Sequence, residues 1–228
     1  MAVTLRTRWR PGDRFLVRHK DSAILVVEKK AGVLSQRTDS GRGEDMLSLL
    51  TQFLGRRSPY PVHRLDRVVS GLLVYARTLE DQRRLIQQFA AHDVERRYVA
   101  GVQGVLQKDS GTFESRMVTD KMMVRSGNRP EARRAVTHWK VLERFSKATL
   151  VEIRLETGLR NQIRVHFAEA GHPLLGEKKY VAGKRQGVER IFLHAAILGF
   201  MHPRTRQAMH FEAQLPSDLA RWRKSLGR

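Results

Sequence analysis

The most informative segment of the sequence is Pro61-Val62-His63-Arg64-Leu65-Asp66-Arg67-Val68-Val69-Ser70-Gly71-Leu72-Leu73-Val74-Tyr75-Ala76. Its second half contains an uninterrupted apolar run, residues 72–76, which is typical of a buried strand. Its first half carries a single acid, Asp66, between two arginines, and neighbouring cations favour the ionised form of a carboxylate. Asp66 is therefore a candidate nucleophile just before a strand. A salt-bridged loop with no catalytic role would have the same residues.

Length and composition limit the possible classes of protein. The chain has 228 residues, of which 41% are hydrophobic, enough for one large domain or two small ones. The absence of cysteine excludes disulfides and thiolate metal sites. No apolar run approaches the roughly 18 residues of a membrane span, and the basic N-terminus lacks the apolar core of a signal peptide. These features predict a cytoplasmic protein.

The charge of the chain points to a polyanionic partner. Lys and Arg number 43 against 23 Asp and Glu, which gives a formal net charge of +20. Such an excess binds polyanions through the release of counterions, and nucleic acid is the main polyanion inside a cell. An anionic membrane surface is the alternative, but no amphipathic basic helix stands out as an anchor. The charge therefore favours a partner made of nucleic acid.

The hydrophobic periodicity predicts a mixed α and β domain that follows a loosely held basic arm at residues 1–14. Thr78 is expected to cap a helix whose first turn carries Glu80 and Asp81, and Gly171 is expected to end another. The polar stretch 108–134 predicts a long hairpin or insertion rather than core. The strands are predicted at residues 15–19, 24–30, 72–76, 95–102, 136–142, 148–155 and 209–215, and the helices at 44–54, 78–92, 161–170 and 217–226.

Three motifs resemble those of the RluA-like pseudouridine synthases. His63-Arg64-Leu65-Asp66 followed by Ser70-Gly71 resembles the catalytic signature of that family. The stretch Thr157-Gly158-Leu159-Arg160-Asn161-Gln162-Ile163-Arg164-Val165-His166 resembles its Thr-Gly-Arg-x-x-Gln-Ile-Arg-Val-His motif, with Leu159 in place of the first arginine. Residues 190–195 resemble its Arg-x-x-Leu-His-Ala strand. The resemblance spans about residues 15–220, with the motifs in the same order.

The resemblance implies an α+β fold and an isomerase activity. The expected fold is a single catalytic domain over residues 15–228, with a mixed, mostly antiparallel central sheet, flanking helices and a basic cleft. The expected reaction converts uridine to pseudouridine in structured RNA, either tRNA or rRNA, without cofactor or metal. We expect a monomer. Because only about 14 residues precede the catalytic region, we expect no N-terminal S4 domain, and this favours a compact target such as a tRNA stem-loop.

The resemblance also assigns roles to individual residues. Asp66 matches the catalytic nucleophile, and Arg164 matches the arginine that pairs with it. Tyr98 stands in the setting of the tyrosine that packs against the target base. Attack at C1′, addition at C6 and elimination to a glycal all remain open as the role of Asp66. The candidate RNA-binding residues are Arg64, which would fill the space left by a flipped base, and Arg67, Arg160 and Gln162.

Two other classes of protein fit part of the sequence. A catalytically silent RNA-binding protein or ribosome-assembly factor on the same scaffold would need only the basic charge. The joint presence of Asp66, Tyr98 and Arg164 argues against this alternative. A DNA-binding protein is less favoured, because no helix-turn-helix or zinc module is recognisable. The histidines show no metal-ligand spacing, so no metal site is predicted.

Overall fold

The structure, a computed structural model, describes residues 9–37, 43–55, 57–120, 123–181 and 190–226. It divides into two compact units, which we call unit 1 (within residues 1–95 and 195–213) and unit 2 (within residues 96–194 and 214–228). In chain order, the elements are β1 (Phe15–Lys20), β2 (Ile24–Lys29), α1 (Met46–Phe53), β3 (Tyr60–Pro61), β4 (Ser70–Ala76), α2 (Leu79–Ala90), β5 (Glu95–Gln103), β6 (Ser110–Asp120), β7 (Met123–Ser126), β8 (Arg133–Arg144), β9 (Ala148–Leu155), α3 (Gln162–Glu169), β10 (Leu193–Met201), β11 (Ala208–Glu212) and α4 (Ser217–Leu226).

Unit 1 is a sheet covered by helix α2. Its strands follow the order β1-β2-β4-β10, with β3 beside β4 and β11 beside β10. The pairs β1–β2, β2–β4, β3–β4 and β10–β11 are antiparallel. Every residue of β4 is buried, which explains its continuous apolar run, because a strand covered on both faces has no solvent side. Leu85 of α2 belongs to the same apolar cluster as Ile24 and Val74.

The boundaries of α2 follow the local sequence. Thr78 has extended backbone angles, and its hydroxyl accepts a hydrogen bond from the backbone N–H of Asp81, as expected of an N-cap. Glu80 and Asp81 place negative charge in the first turn, where the helix dipole is positive. The predicted cap and first turn of this helix are confirmed.

Unit 2 contains antiparallel strands together with α3 and α4. Its strand order is β5-β9-β8-β6-β7, and all four neighbouring pairs are antiparallel. Phe167 of α3 is fully buried and meets the ring of Phe113 of β6 edge-on, with 5.0 Å between centroids. On α4, the indole of Trp222 packs against Phe192 at 5.1 Å. The helices of this unit are thus held through aromatic side chains.

The stretch 108–134 differs from the prediction. It contains β6 and β7, and Met117, Val118 and Val124 are among its buried residues. In the first part of β6, every second residue is exposed, and Gly111 and Ser115 are among the residues that face inward. This pattern of polar and small residues is also typical of a loop. This part of the chain does supply a hairpin, as predicted, but its apolar side belongs to the core of unit 2.

The first part of the predicted arm, residues 1–8, lies outside the described residues. Its second part is tied to unit 1: the N–H of Lys30 donates to the carbonyl of Arg14 at 3.0 Å, and Arg14 pairs with Glu44. Residues 9–14 are therefore less loose than the sequence suggested. Within the described part of the chain, none of the helices is long and apolar enough to cross a membrane.

Together the two units have the α+β class that was predicted, with antiparallel pairing in each. That residues 15–228 act as a single catalytic domain with a basic cleft stays a prediction.

Candidate active site

Asp66 lies in the loop between β3 and β4, which we call the Asp66 loop (residues 62–69). Its side chain is half-buried, whereas those of Arg64 and Arg67 are exposed. The N–H of Val69 donates to the carbonyl of Asp66 at 3.0 Å and closes a turn directly before β4. The loop therefore holds a carboxylate between two exposed guanidinium groups at the start of a buried strand.

Helix α2 and strand β4 anchor the loop on the N-terminal side of Asp66. The side-chain amide of Gln82 donates to the carbonyl of Pro61 at 2.7 Å. The ring of His63 stacks on Phe89 with 4.6 Å between centroids, and its Nε2 accepts the backbone N–H of Val74 at 3.1 Å. His63 therefore has a structural role at this position, and it links the loop to both neighbouring elements.

A buried serine holds the residue directly before Asp66. The Oγ of Ser35 donates to the carbonyl of Leu65 at 2.8 Å and accepts the N–H of the same residue at 2.9 Å. The hydroxyl of Tyr75, on β4, donates to the carbonyl of Ser35 at 2.8 Å. Burial raises the pKa of Tyr75, with the nearby Asp45 adding to the effect, so this phenol stays protonated and remains a donor. The backbone beside Asp66 is thus fixed by neutral groups.

A fully buried ammonium group lies under the loop. Lys29, the last residue of β2, is 0% exposed. Its Nζ lies 2.7 Å from the carbonyl oxygen of Val69, 2.8 Å from that of Val33 and 3.0 Å from that of Lys30, with the carbonyl of Asp66 at 3.5 Å. A buried cation is unfavourable unless polar groups replace its hydration shell, and these carbonyl dipoles do so. Both ends of the Asp66 turn consequently contact the same lysine.

Two glycines contribute to the surroundings of the loop in different ways. Gly32 exchanges two hydrogen bonds with Arg67: its N–H donates to the arginine carbonyl at 2.7 Å, and its carbonyl accepts the arginine Nε at 2.9 Å. Gly71, at φ +122°, lies so close to β10 that a Cβ there would be 2.2 Å from the carbonyl oxygen of Ala195. The glycine of the Ser70-Gly71 motif is therefore required by backbone packing.

In unit 2, Tyr98 lies on β5 opposite Ile153 of β9 and is 7% exposed. Two residues earlier, Arg96 is also buried, and its Nη2 donates to the carbonyl of Glu156 at 3.2 Å. Burial lowers the pKa of this arginine. A Cβ on Gly158 would lie 2.4 Å from the Arg96 guanidinium. The glycine of the Thr157-Gly158 motif therefore leaves the space that the guanidinium occupies.

Gln162 begins α3 and is 2% exposed. Its amide nitrogen donates to the carbonyl of Val136 and to the hydroxyl of Thr137, both at 2.9 Å. Its amide oxygen accepts the hydroxyl of Thr157 at 2.8 Å and the N–H of Leu159 at 3.0 Å. All four bonds are internal to unit 2, and the role of Gln162 in RNA binding stays a prediction. Its amide joins the motif loop to β8.

Arg164 lies in the first turn of α3 and forms a buried ion pair with Glu177. Its Nε and Nη2 each lie 2.8 Å from a carboxylate oxygen, with the two side chains 10% and 0% exposed. Burial alone would raise the pKa of Glu177, but the hydrogen bonds and charge of Arg164, with the backbone N–H groups of Lys178 and Lys179, hold that pKa below its ordinary value. The carboxylate is therefore ionised at neutral pH.

Comparison with known proteins identifies the family. The family described as RNA pseudouridylate synthase matches residues 23–169, more than half of the chain. The chain belongs to this family. An RNA pseudouridine synthase of Bacillus subtilis (strain 168), named YlyB and described as uncharacterized, is 37% identical over 210 residues, which cover 89% of this chain and 69% of the relative. The ribosomal large subunit pseudouridine synthase D of Zymomonas mobilis is 36% identical over 220 residues, which cover 88% and 69%.

Solved structures of family members share the fold. The human proteins named RNA pseudouridylate synthase domain containing 4 and 1 both superpose with a TM-score of 0.74 over 91% of this chain and 92% and 87% of theirs. Their sequences are 23% and 22% identical to this one, so this likeness concerns the fold alone. The predicted family, fold class and enzyme class, an isomerase acting on RNA, are confirmed.

The site residues expected of a pseudouridine synthase fall in both units. Asp66 with Arg64 and Arg67 forms one loop of unit 1, while Tyr98 lies on β5 in unit 2. The same unit contains Arg160, which is exposed and lies just before α3. It also contains Gln162 and Arg164, which are buried in the first turn of that helix. No observation assigns a catalytic or RNA-binding role to any of these residues, so those roles are proposals.

Sequence reasoning missed the side chains that support these residues. Lys29, Ser35 and Tyr75 hold the Asp66 loop, and Glu177 pairs with Arg164. In the described part of the chain, no group of three or more His, Asp or Glu side chains lies close enough together to hold a metal ion.

Proposed function

We propose that this pseudouridine synthase isomerises one or more uridines of structured RNA in the cytoplasm, with the Asp66 carboxylate as nucleophile and the target base flipped out of its stack. The observation that carries the proposal is the construction of the Asp66 loop. Lys29, Ser35 and Gly32 contact the backbone on both sides of Asp66, while its side chain stays half-exposed. Preorganised backbone around an accessible carboxylate is what a nucleophile in this position requires.

The reaction rearranges bonds within one nucleotide. The N1–C1′ glycosidic bond breaks, the uracil turns, and a C5–C1′ bond forms while C5 loses its proton and N1 gains one. No electrons or groups are exchanged with another molecule, so the balance needs no redox partner. The Asp66 anion serves this sequence by attack at C1′, by addition at C6 or by assisting elimination to a glycal, and each route requires the ionised carboxylate.

The roles of Arg164 and Tyr98 in the proposal rest on the motifs in which they stand. Arg164 would stabilise the Asp66 anion through charge-assisted hydrogen bonds. Tyr98 would pack on the uracil and is the candidate for removing the C5 proton, a step that depends on reach before it depends on acidity. Each role is separable by mutation, because loss of the base-packing ring affects a different step from loss of the anion partner.

The RNA-binding side of the proposal rests on charge and exposure. The formal net charge is +20, and Arg64, Arg67 and Arg160 are all exposed. A uridine leaves its stack at a cost of a few kcal/mol. Arg64, which directly precedes the buried Leu65, would fill the vacated space, since a planar guanidinium stacks on bases.

We propose ribosomal RNA of the large subunit as the first substrate to test, ahead of the tRNA that the sequence alone favoured. Support comes from several relatives at 34–36% identity that are named ribosomal large subunit pseudouridine synthase D. A tRNA target is the alternative.

Mapping pseudouridines in cells tests both parts of the proposal. The gene is deleted, and the strain is complemented with wild-type protein or with the Asp66→Asn variant. We expect at least one pseudouridine of large-subunit rRNA to disappear on deletion, to return with wild type and to stay absent with the variant. A lost site in tRNA alone would refute the choice of substrate. No lost site, with Asp66→Asn as effective as wild type in growth, would favour the silent RNA-binding alternative.

A further inference from the structure

The Arg164–Glu177 ion pair uses a defined edge of the guanidinium. An arginine side chain carries five N–H donors in one plane. The Nε and Nη2 side of that plane is bound by the two oxygens of Glu177, each at 2.8 Å. The Nη1 group is 3.3 Å from the Oδ1 of Asn161. Rotation of the guanidinium about its own axis would break both Glu177 bonds, so the carboxylate fixes the orientation of the plane.

Glu177 is itself held in place by the backbone. One of its oxygens accepts the N–H groups of Lys178 at 3.0 Å and Lys179 at 2.7 Å, in addition to its bond from Arg164. The preceding Gly176, at φ +78°, lies so close to Arg190 that a Cβ would be 2.2 Å from its carbonyl oxygen. The segment that carries Glu177 is thus packed tightly against its surroundings, and the carboxylate has little freedom to follow a moving arginine.

A ring covers the same guanidinium. Arg164 lies 5.3 Å from the centroid of the Tyr180 ring, and the hydroxyl of that tyrosine accepts the side-chain amide of Asn161 at 2.7 Å. The guanidinium is bound on one edge by a carboxylate, lies close to an amide at a second edge and is covered on one face by an aromatic ring. A stabilising ion pair alone does not require so much constraint. Such constraint is expected where the direction of the remaining N–H groups matters.

We propose that Glu177 is a positioning residue for the isomerisation, which fixes the orientation of the Arg164 guanidinium. This inference rests on the proposed function, because it assumes the role of Arg164 given there. Glu177 acts only through Arg164 and contacts neither the RNA nor the reacting atoms. It therefore contributes to the rate of the chemical step and not to binding of the substrate.

The test compares Glu177→Gln with wild type in single-turnover and steady-state formation of pseudouridine, using RNA from cells that lack the gene. The amide keeps the shape of the carboxylate but removes its charge and places an N–H₂ group against the guanidinium. We expect kcat to fall about 100-fold, the effect of a misplacement near 1 Å, with KM within about twofold of wild type. Glu143→Gln, which breaks the exposed pair with Arg223 in the same unit, is the matched control and should keep wild-type kcat.

A double variant separates positioning from general stability. If Glu177 acts through Arg164, then Arg164→Lys and Arg164→Lys/Glu177→Gln should have the same kcat, since the group that Glu177 orients is already lost. A further 100-fold loss in the double variant would overturn the proposal, and so would wild-type kcat in Glu177→Gln. Inactivity of the wild-type protein itself would instead overturn the proposed function, and this inference with it.

Circular dichroism shows whether Glu177→Gln folds. If it does not fold, Glu177→Asp is used in its place. The aspartate retains the charge but is shorter by one methylene, so it cannot hold both guanidinium nitrogens at the present distances. We expect a native melting curve with kcat lowered about 10-fold at unchanged KM. A kcat equal to that of wild type in this variant would also overturn the proposal.

Discussion

Replacing Lys29 by Met tests whether a buried ammonium group holds the Asp66 loop. Methionine keeps most of the side-chain volume but cannot donate the bonds at 2.7 and 2.8 Å to the carbonyls of Val69 and Val33. Each buried carbonyl that loses its donor lowers the free energy of unfolding by about 1–3 kcal/mol. Part of that loss is offset, because the variant no longer buries a charged ammonium group. We expect the free energy of unfolding to fall by about 3 kcal/mol. In a chain of 228 residues, this lowers Tm by about 6–12 °C.

Thermal and urea unfolding, followed by circular dichroism, measure the effect. Lys30→Met is the control, because the neighbouring ammonium is less buried and lies 4.8 Å from the ring of Trp9, an interaction worth about 0.5–1 kcal/mol. We also expect Lys29→Met to lower kcat below the Tm of the variant, since the turn at Asp66 loses its support. Equal stability of the two variants would show that the Lys29 ammonium does not hold the Asp66 loop.

Three further outcomes follow from the structure. Gly71→Ala should lower the free energy of unfolding by about 3 kcal/mol or more, because the new Cβ would lie 2.2 Å from the carbonyl oxygen of Ala195. The control is Gly55→Ala, where φ is +67° but the space is open. This variant should cost about 1 kcal/mol in the same unfolding assay. Burial lowers the pKa of His166 to about 4, so the unfolded chain binds the proton first. Stability should fall by up to about 3 kcal/mol as pH decreases from 6.5 to 4, and His166→Gln should remove that dependence in pH-resolved unfolding; an unchanged profile would contradict it. Arg160→Ala should reduce the slope of log Kd against log salt for RNA by about 0.7–0.9, and an unchanged slope would remove Arg160 from the interface.

The sequence was sufficient to predict the helix ends and strands that are marked by a few adjacent residues. The cap at Thr78, the glycine that ends α3 and the apolar run of β4 are all confirmed. The contribution of β6 to the core was not predicted, because one face of this strand is exposed and polar while the other includes Gly111 and Ser115. A hydrophobic pattern predicts a strand only when the buried face is apolar.

The support for the site was not predictable in the same way. The alternation of side chains along β2 places Lys29 on the same face as the buried Val27. Lysine is almost never fully buried without partners, however, and the carbonyl partners of Lys29 come from two separate loops. Glu177 pairs with a residue 13 positions away, and no local pattern marks such a contact. The motifs themselves were recognisable because their residues are adjacent in the chain. The groups that hold those residues are adjacent only after folding.

Isomerisation by this protein can be followed as the release of tritium from RNA that carries 5-tritiated uridine and comes from cells lacking the gene. Carbon 5 loses its hydrogen only when the new bond to C1′ forms there. We expect wild-type protein to release tritium in proportion to the pseudouridine formed, and Asp66→Asn to bind the same RNA with similar affinity but to release none. Release by Asp66→Asn at the wild-type rate would contradict the role of Asp66, and no release by wild type while it binds the RNA would contradict the isomerisation itself.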